Sequence, residues 1–413
     1  MRYVVDQCIV LLHTPDGPLA LYINAFAKHQ KAQGYTRYSI HRQVLLAAGF
    51  SRWLMQKGIA LRHVKSDHLG QYLRHRAQQV RCHNFDIACL KRLLDFLRGE
   101  GLIASEKILV RRLTSAERIV QAYAEYLREA RGLAKTSIIN YVPFIRGFLN
   151  TRFRKGPAVL SQLNAHDVVG FVQQQATHLH QKRAKLLTCA LRSFLRYARY
   201  QGDLKLDLAS SVPVVPNWSM PSIPRGIAVE QVRHLLASIN RRTAIGRRDY
   251  AILLLLARLG LRSSEIVSLD LEDIDWVSGR LSVRGKGGRQ FELPLPQDVG
   301  KAIIEYLQHG RPRSTSSRRV FLRSRAPIRG FFGQGGIGSL VRHSIIRAGI
   351  ISPTKGAHQF RHGLATQMLH HGASLAEIGE VLGHRNLETT KIYAKVDLTA
   401  LRTLALPWPG GAR

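Results

Sequence analysis

Six side chains in the C-terminal part of the chain, Arg262, Lys286, His358, Arg361, His384 and Tyr393, together have the makings of metal-free chemistry on a phosphodiester. Such an ester is screened by its own negative charge and carries a poor alkoxide leaving group. A catalyst without a metal must therefore supply cationic hydrogen-bond donors, a proton and a nucleophile. Arginine suits the first task, because its planar fork donates to two oxygens of one phosphate and keeps its charge. Arg262 and Arg361 are the candidates for that clamp. His358 and Arg361 stand three apart, which on a helix places them on one face. His384 follows Leu382 and Gly383, where a short turn would aim its imidazole back at the same place. Lys286 sits among glycines in Arg284-Gly-Lys-Gly-Gly-Arg289, which reads as a hairpin tip. Tyr393 carries a hydroxyl able to attack phosphorus, although a phenol with a pKa of about 10 needs nearby cations or a base to do so at neutral pH.

Read singly, each residue has an ordinary explanation: a solvated arginine, an exposed glycine-rich turn, a packing tyrosine, a structural histidine among the 18 present. The argument for chemistry rests on the set and its order. His362, His370 and His371 are read as structural.

The elements that must hold these groups follow from apolar periodicity. Helices are expected over residues 229–239 and 249–259, the second apolar almost throughout and therefore buried. Residues 281–284 and 290–294 flank the glycine-rich turn as a β-hairpin, and helices resume over 297–308, 337–348, 360–371 and 376–382. The expected fold class is mainly α with a small antiparallel β-sheet. Upstream, Pro213, Pro216, Pro221 and Pro224 block helix and central strand, so residues 207–226 read as a linker.

Two helical segments precede that linker, at residues 15–105 and 113–206, and they look like copies of one unit. Gly34, Ser39, Phe50, Asp67, Cys89 and Arg92 have counterparts in Gly132, Ser137, Phe148, Asp167, Cys189 and Arg192, each about one hundred residues later. Chance likeness between two amphipathic segments is the competing explanation. The polar faces, with Arg37, Arg42, Lys135 and Arg146, are expected to lie on phosphates.

Composition points to the same partner. The chain has 62 Lys and Arg against 27 Asp and Glu among 413 residues, a formal net charge of +35. Self-repulsion of that size is relieved by a polyanion, and nucleic acid is the usual one. An arginine-rich codon bias is the bland alternative. Membrane-surface binding is disfavoured because the basic residues are spread along the chain instead of gathered on one amphipathic helix. The apolar stretch at residues 4–12 is broken by Asp6 and Gln7 and too short to span a bilayer. Cys8, Cys82, Cys89 and Cys189 contain no Cys-x-x-Cys pair, so neither a disulfide framework nor a zinc site is expected, and reduced thiols fit a cytoplasmic, nucleoid-associated protein of a bacterium. The stretch 333–338 satisfies G-x-G-x-x-G but lacks a surrounding βαβ unit and reads as a loop. No cofactor and no metal are expected.

With these residues in view, the chain resembles the tyrosine recombinase (phage integrase) family, whose signature is an arginine, a lysine on a hairpin, His-x-x-Arg, Leu-Gly-His and a C-terminal tyrosine. The resemblance covers residues 227–405 strongly and 113–206 weakly, with the catalytic domain expected over 227–406. It implies an integrase-type catalytic domain preceded by a helical SAM-like DNA-binding domain that grips the opposite face of the duplex. It also implies roles: Tyr393 as nucleophile forming a 3′-phosphotyrosine, Lys286 as general acid, and His358 and His384 as phosphate ligands, with His358 a possible acceptor of the tyrosine's proton. Arg284 and Arg289 beside Lys286 are read as DNA contacts. The implied partner is double-stranded DNA, held by a homo-tetramer on paired sites or by a mixed assembly with related recombinases. Neighbours in that assembly would exchange a C-terminal segment, here residues 397–406. The implied use is integration, excision or transposition of a mobile element. A Xer-type resolvase of chromosome or plasmid dimers is the runner-up, and a DNA-binding protein without chemistry the rival from another class.

Overall fold

The computed structural model of the protein describes residues 3–5, 9–11, 13–81, 83–104, 113–154, 156–215, 226–285, 290–313, 316–352, 354–384, 386 and 389–396. Its contacts divide the chain into two units, Met1–Glu106 together with Ser222–Arg413, and Lys107–Pro221.

In the first unit, β1 (Tyr3–Val5) pairs antiparallel with β2 (Ile9–Leu11) and is followed by α1 (Ile23–Ala32), α2 (Arg37–Gln56), α3 (Ser66–Ala77) and α4 (Asn84–Gly99). Two short paired strands thus fall within the apolar N-terminal stretch, and Val5 is buried with Ile23, Ala27, Ile40 and Val44. Thr36 starts α2 by accepting a hydrogen bond from the Ser39 backbone N–H, the usual task of a hydroxyl before a first turn. Phe26, Phe50, Trp53, Tyr72 and the leucines of α4 make the main core here.

The second unit contains α5 (Ser115–Glu129), α6 (Lys135–Arg152), α7 (Ala165–Ala176) and α8 (Gln181–Tyr200) around a core of Tyr123, Phe148, Phe171, Leu191 and Phe194. Its element order repeats that of α1 to α4, including a 3-10 turn before the third helix, at Leu61–His63 in one and Leu160–Gln162 in the other. Three of the recurring pairs fall in corresponding helices, with Cys89 buried and Cys189 exposed. Ser39 and Ser137 lie in the first turns of α2 and α6, Asp67 and Asp167 in the first turns of α3 and α7, and Cys89 and Cys189 within α4 and α8.

The rest of the first unit runs through α9 (Val229–Ala237), α10 (Ala244–Leu259), α11 (Ser263–Ser268), β3 (Ile274–Asp275), β4 (Arg280–Arg284), β5 (Gln290–Pro294), α12 (Gln297–His309), α13 (Gly335–Arg347), α14 (His358–His370) and α15 (Leu375–Val381), and a 3-10 helix at Lys391–Val396. The three strands form one antiparallel sheet in the order β3-β4-β5, with Leu281 opposite Leu293. The central helix α10 packs on α12 and α14 and is buried as its composition predicts. It begins earlier than the apolar run suggests. The Thr243 hydroxyl caps it through Gly246 N–H, and the buried Arg248 and Asp249 satisfy one another at 2.7 Å. The N-terminal helices meet this part of the unit at one loop, where the Ile328 N–H donates to the Gln33 carbonyl at 2.9 Å. Among the described residues, no helix is long and apolar enough to cross a membrane.

Candidate active site

The C-terminal end of α10 and the N-terminal end of α11 place the first arginine. Arg262 is the residue before α11, and Glu265 reaches back to it, accepting from its backbone N–H at 2.8 Å and from its guanidinium at 2.7 Å. Glu265 is 2% exposed. A carboxylate held that deeply with two donors fixes the orientation of Arg262 while leaving most of its five N–H groups unused. Sequence reading missed Glu265, although its spacing from Arg262 is that of a helix-capping residue that reaches back to the start of its helix.

Arg361 lies in the first turn of α14 and is buried. Its guanidinium donates to the Gly260 carbonyl at 2.8 Å and, from the other terminal nitrogen, to the Leu382 carbonyl. One side chain thereby ties the end of α10 to the end of α15. His358 precedes it on the same helix, as the spacing predicts.

The turn expected after Leu382 is present. Gly383 has φ +58°, and a Cβ there would stand 2.8 Å from the Phe291 ring of β5, so both the backbone conformation and the space call for glycine. His384 emerges from that turn, with its N–H on the Gly379 carbonyl at 2.8 Å and its Nδ1 2.7 Å from the hydroxyl of buried Thr390. Thr390 is the second residue that the sequence did not reveal. It also accepts the Tyr393 N–H through its carbonyl, at 2.9 Å, so one residue supports both the histidine and the tyrosine.

Tyr393 is 1% exposed and packs with Ala365, Ile378 and Leu382. Its hydroxyl is 3.1 Å from Nδ1 of His362, and the two rings meet edge to face with centroids 5.7 Å apart. His362, read from sequence as structural, is therefore the histidine in contact with the phenol.

The electrostatics show that these groups share one neighbourhood. Desolvation lowers the pKa of His358, and the charges of Arg361 and Arg262 lower it further. The same causes push His384 down to about 4. Burial raises the Tyr393 phenol, and Arg361 and Arg262 oppose that rise. Arg361 falls to about 10 through burial and the Arg262 charge, which leaves it cationic at neutral pH. Both guanidinium groups thus act on His358, His384 and Tyr393, and the histidines are held neutral around two cations. Two cations beside neutral histidines suit the binding of an anion.

Lys286 and Arg289 lie outside the described residues, as does the segment 397–406. Arg284 is paired with Asp270 and Asp273. Arg146 holds Glu117 with contacts as short as 2.7 Å, and Arg42 lies over the Phe85 ring. Arg37 and Lys135 are exposed at the starts of α2 and α6.

Comparison with known proteins agrees with this architecture. Residues 226–399 match the model of the phage integrase family, and residues 120–202 match that of the phage integrase N-terminal SAM-like domain. The chain is 57% identical along its whole length to the whole of the putative integrase/recombinase y4rA of Sinorhizobium fredii. It is 30% identical to tyrosine recombinase XerD of Mycobacterium tuberculosis over 70% of this chain and 96% of that one. Among solved structures, a XerH site-specific recombinase bound to a palindromic difH substrate shares the fold with a TM-score of 0.56 and 19% identity, over 77% of this chain and 94% of that one.

Proposed function

This chain belongs to the phage integrase family of tyrosine recombinases, enzymes of DNA strand exchange, and from that premise we propose that it cuts and rejoins double-stranded DNA at specific sites to integrate, excise or transpose a mobile element. The observation that carries the reading is the convergence of Arg262, Arg361, His358 and His384 on the neighbourhood of Tyr393. The Tyr393 oxygen attacks phosphorus, the bond to the 5′ oxygen breaks, and the strand is left as a 3′-phosphotyrosine with a free 5′ hydroxyl. Arg262 and Arg361 stabilise charge on the nonbridging oxygens as it builds, and Lys286 protonates the leaving oxygen. Because the phosphotyrosine conserves the energy of the broken ester, a 5′ hydroxyl from a second duplex reverses the step without ATP.

The second unit supplies a basic helical grip, with Lys135 at the start of α6. The residues 15–105 read as a duplicate of that grip, on the strength of the repeated element order. Strand exchange requires two duplexes, which is met by four protomers on paired sites, in the cytoplasm where the DNA lies. A Xer-type host role is the second reading. XerD of M. tuberculosis matches about three-tenths less than the whole of this chain, while y4rA matches all of it, and that extra length favours the mobile-element role.

The test is covalent trapping on nicked duplexes made from DNA flanking the gene, comparing the natural chain with Tyr393→Phe. An adduct is expected only with tyrosine at 393. An adduct formed equally by both proteins would remove Tyr393 from its role. Binding should also weaken steeply with salt, as many phosphate contacts release counterions.

A further inference from the structure

The Tyr393 hydroxyl contacts one titratable side chain among the described residues, and it is neither His358 nor His384. We propose that His362 is a catalytic residue of the strand-cleavage step: it holds the Tyr393 hydroxyl in place and takes its proton as the oxygen attacks phosphorus. The inference rests on the tyrosine recombinase reading and assigns a residue within it.

The geometry supports both halves. Nδ1 of His362 stands 3.1 Å from the phenol oxygen, within reach for direct proton transfer, and the edge-to-face ring contact fixes the approach. His362 follows Arg361 directly on α14, so the residue that would take the proton and one that would hold the phosphate are locked to one backbone turn. The Thr390 carbonyl accepts the Tyr393 N–H and so holds the tyrosine's backbone in its 3-10 helix.

The surroundings keep His362 ready. Its pKa is lowered by burial, by His358 and by Arg361, so at neutral pH the ring is neutral; with its proton on Nε2, Nδ1 accepts from the phenol. The Arg361 charge makes His362 a poorer proton acceptor in the free protein, while Arg361 and Arg262 together oppose the rise that burial gives the Tyr393 phenol. An incoming phosphodiester offsets the charge part of that lowering by adding a negative charge beside His358, Arg361, Arg262 and His384. Burial remains, and His362 is a better proton acceptor with substrate in place than without it. The step balances: the phenol proton moves to Nδ1, the oxygen–phosphorus bond forms, the bond to the 5′ oxygen breaks, and that oxygen takes a proton from the general acid. Religation runs the same transfers backwards, returning the proton from His362 to Tyr393.

The test uses the full chain and a nicked suicide duplex, measuring the single-turnover rate of covalent complex formation against pH for the natural protein and His362→Asn, with DNA affinity in parallel. Asparagine can accept the phenol hydrogen bond and cannot take the proton. At pH 7 the variant should be slower by about 10²-fold, within the range that general bases contribute, with affinity unchanged. The deficit should shrink about tenfold per pH unit as the phenol ionises on its own. A variant as fast as the natural chain, or a deficit constant across pH, would overturn the assignment while leaving the Tyr393 reading intact. A natural chain that makes no Tyr393-dependent adduct would bring down both.

Discussion

Replacing Glu265 with glutamine tests whether the orientation of Arg262, beyond its charge, is what the site depends on. The carboxylate accepts two hydrogen bonds from the same arginine, at 2.7 and 2.8 Å, and is 2% exposed. Glutamine keeps the size and one acceptor oxygen. Its amide presents N–H groups where the carboxylate presented an oxygen, so one of the two contacts becomes donor against donor. Losing a charge-assisted hydrogen bond in that setting costs about 1.5–3 kcal/mol. The Arg262 side chain is one quarter exposed, which moves the expected cost toward the lower end through solvent screening. Arg262, freed from its carboxylate, samples other rotamers and meets the transition state less often. The same removal leaves the Arg262 charge uncompensated next to His358 and Arg361, both of which feel Glu265. Single-turnover cleavage of a nicked duplex should fall about 10²-fold, the scale on which one oriented donor contributes to a transition state. DNA affinity, spread over many basic residues, should change by less than about twofold. Urea unfolding should show the catalytic part of the chain weakened by the cost above. A variant that cleaves at the natural rate would refute the orientation argument. A variant whose whole defect lies in DNA affinity would refute it as well, because the carboxylate would then matter only to binding.

Two further outcomes follow from the same geometry. His358, His362 and His384 are held below their ordinary pKa in the free protein, the last at about 4, and a bound phosphate stabilises their charged forms. Binding therefore takes up protons, and affinity for a short duplex at fixed salt should strengthen as pH falls from about 6.5 toward 5; titration in buffers of different ionisation enthalpy checks this, and an affinity that weakens toward pH 5 without unfolding contradicts it. Gly34 has φ +81°, and a Cβ there would stand 2.4 Å from Cγ1 of Ile328, at the loop where the N-terminal helices meet the C-terminal part of their unit. Gly34→Ala should cost more than the roughly 1–2 kcal/mol of its left-handed backbone, and adding Ile328→Ala should return the excess. Additive effects in this double-mutant cycle would show that the two residues do not touch.

What could be read from the sequence divides along a physical line. The buried helix at α10, the hairpin of β4 and β5 and the turn before His384 were legible because apolar runs, flanking glycines and a Leu-Gly-His step are local signals, read within a few residues of themselves. The reactive types were legible because phosphodiester chemistry without a metal admits few side chains. The supporting contacts were not. Glu265, Thr390 and His362 are common residues whose meaning comes from what the fold brings to them, and a histidine beside an arginine in sequence gives no sign that a tyrosine 31 residues away will rest against it. The basic side chains show the same limit. Arg146 and Arg284 are expected on phosphates in a chain of charge +35, and the sequence does not show that the first is paired with Glu117 and the second with Asp270 and Asp273. Glu265 shows the same pairing used differently: Arg262 spends one terminal nitrogen on it and keeps the rest of the fork. In the proposed site Arg262 is held by a single buried carboxylate, Glu265, which aims it without consuming it. An arginine shared between two carboxylates, as Arg284 is by Asp270 and Asp273, must give up a contact before it can bind DNA.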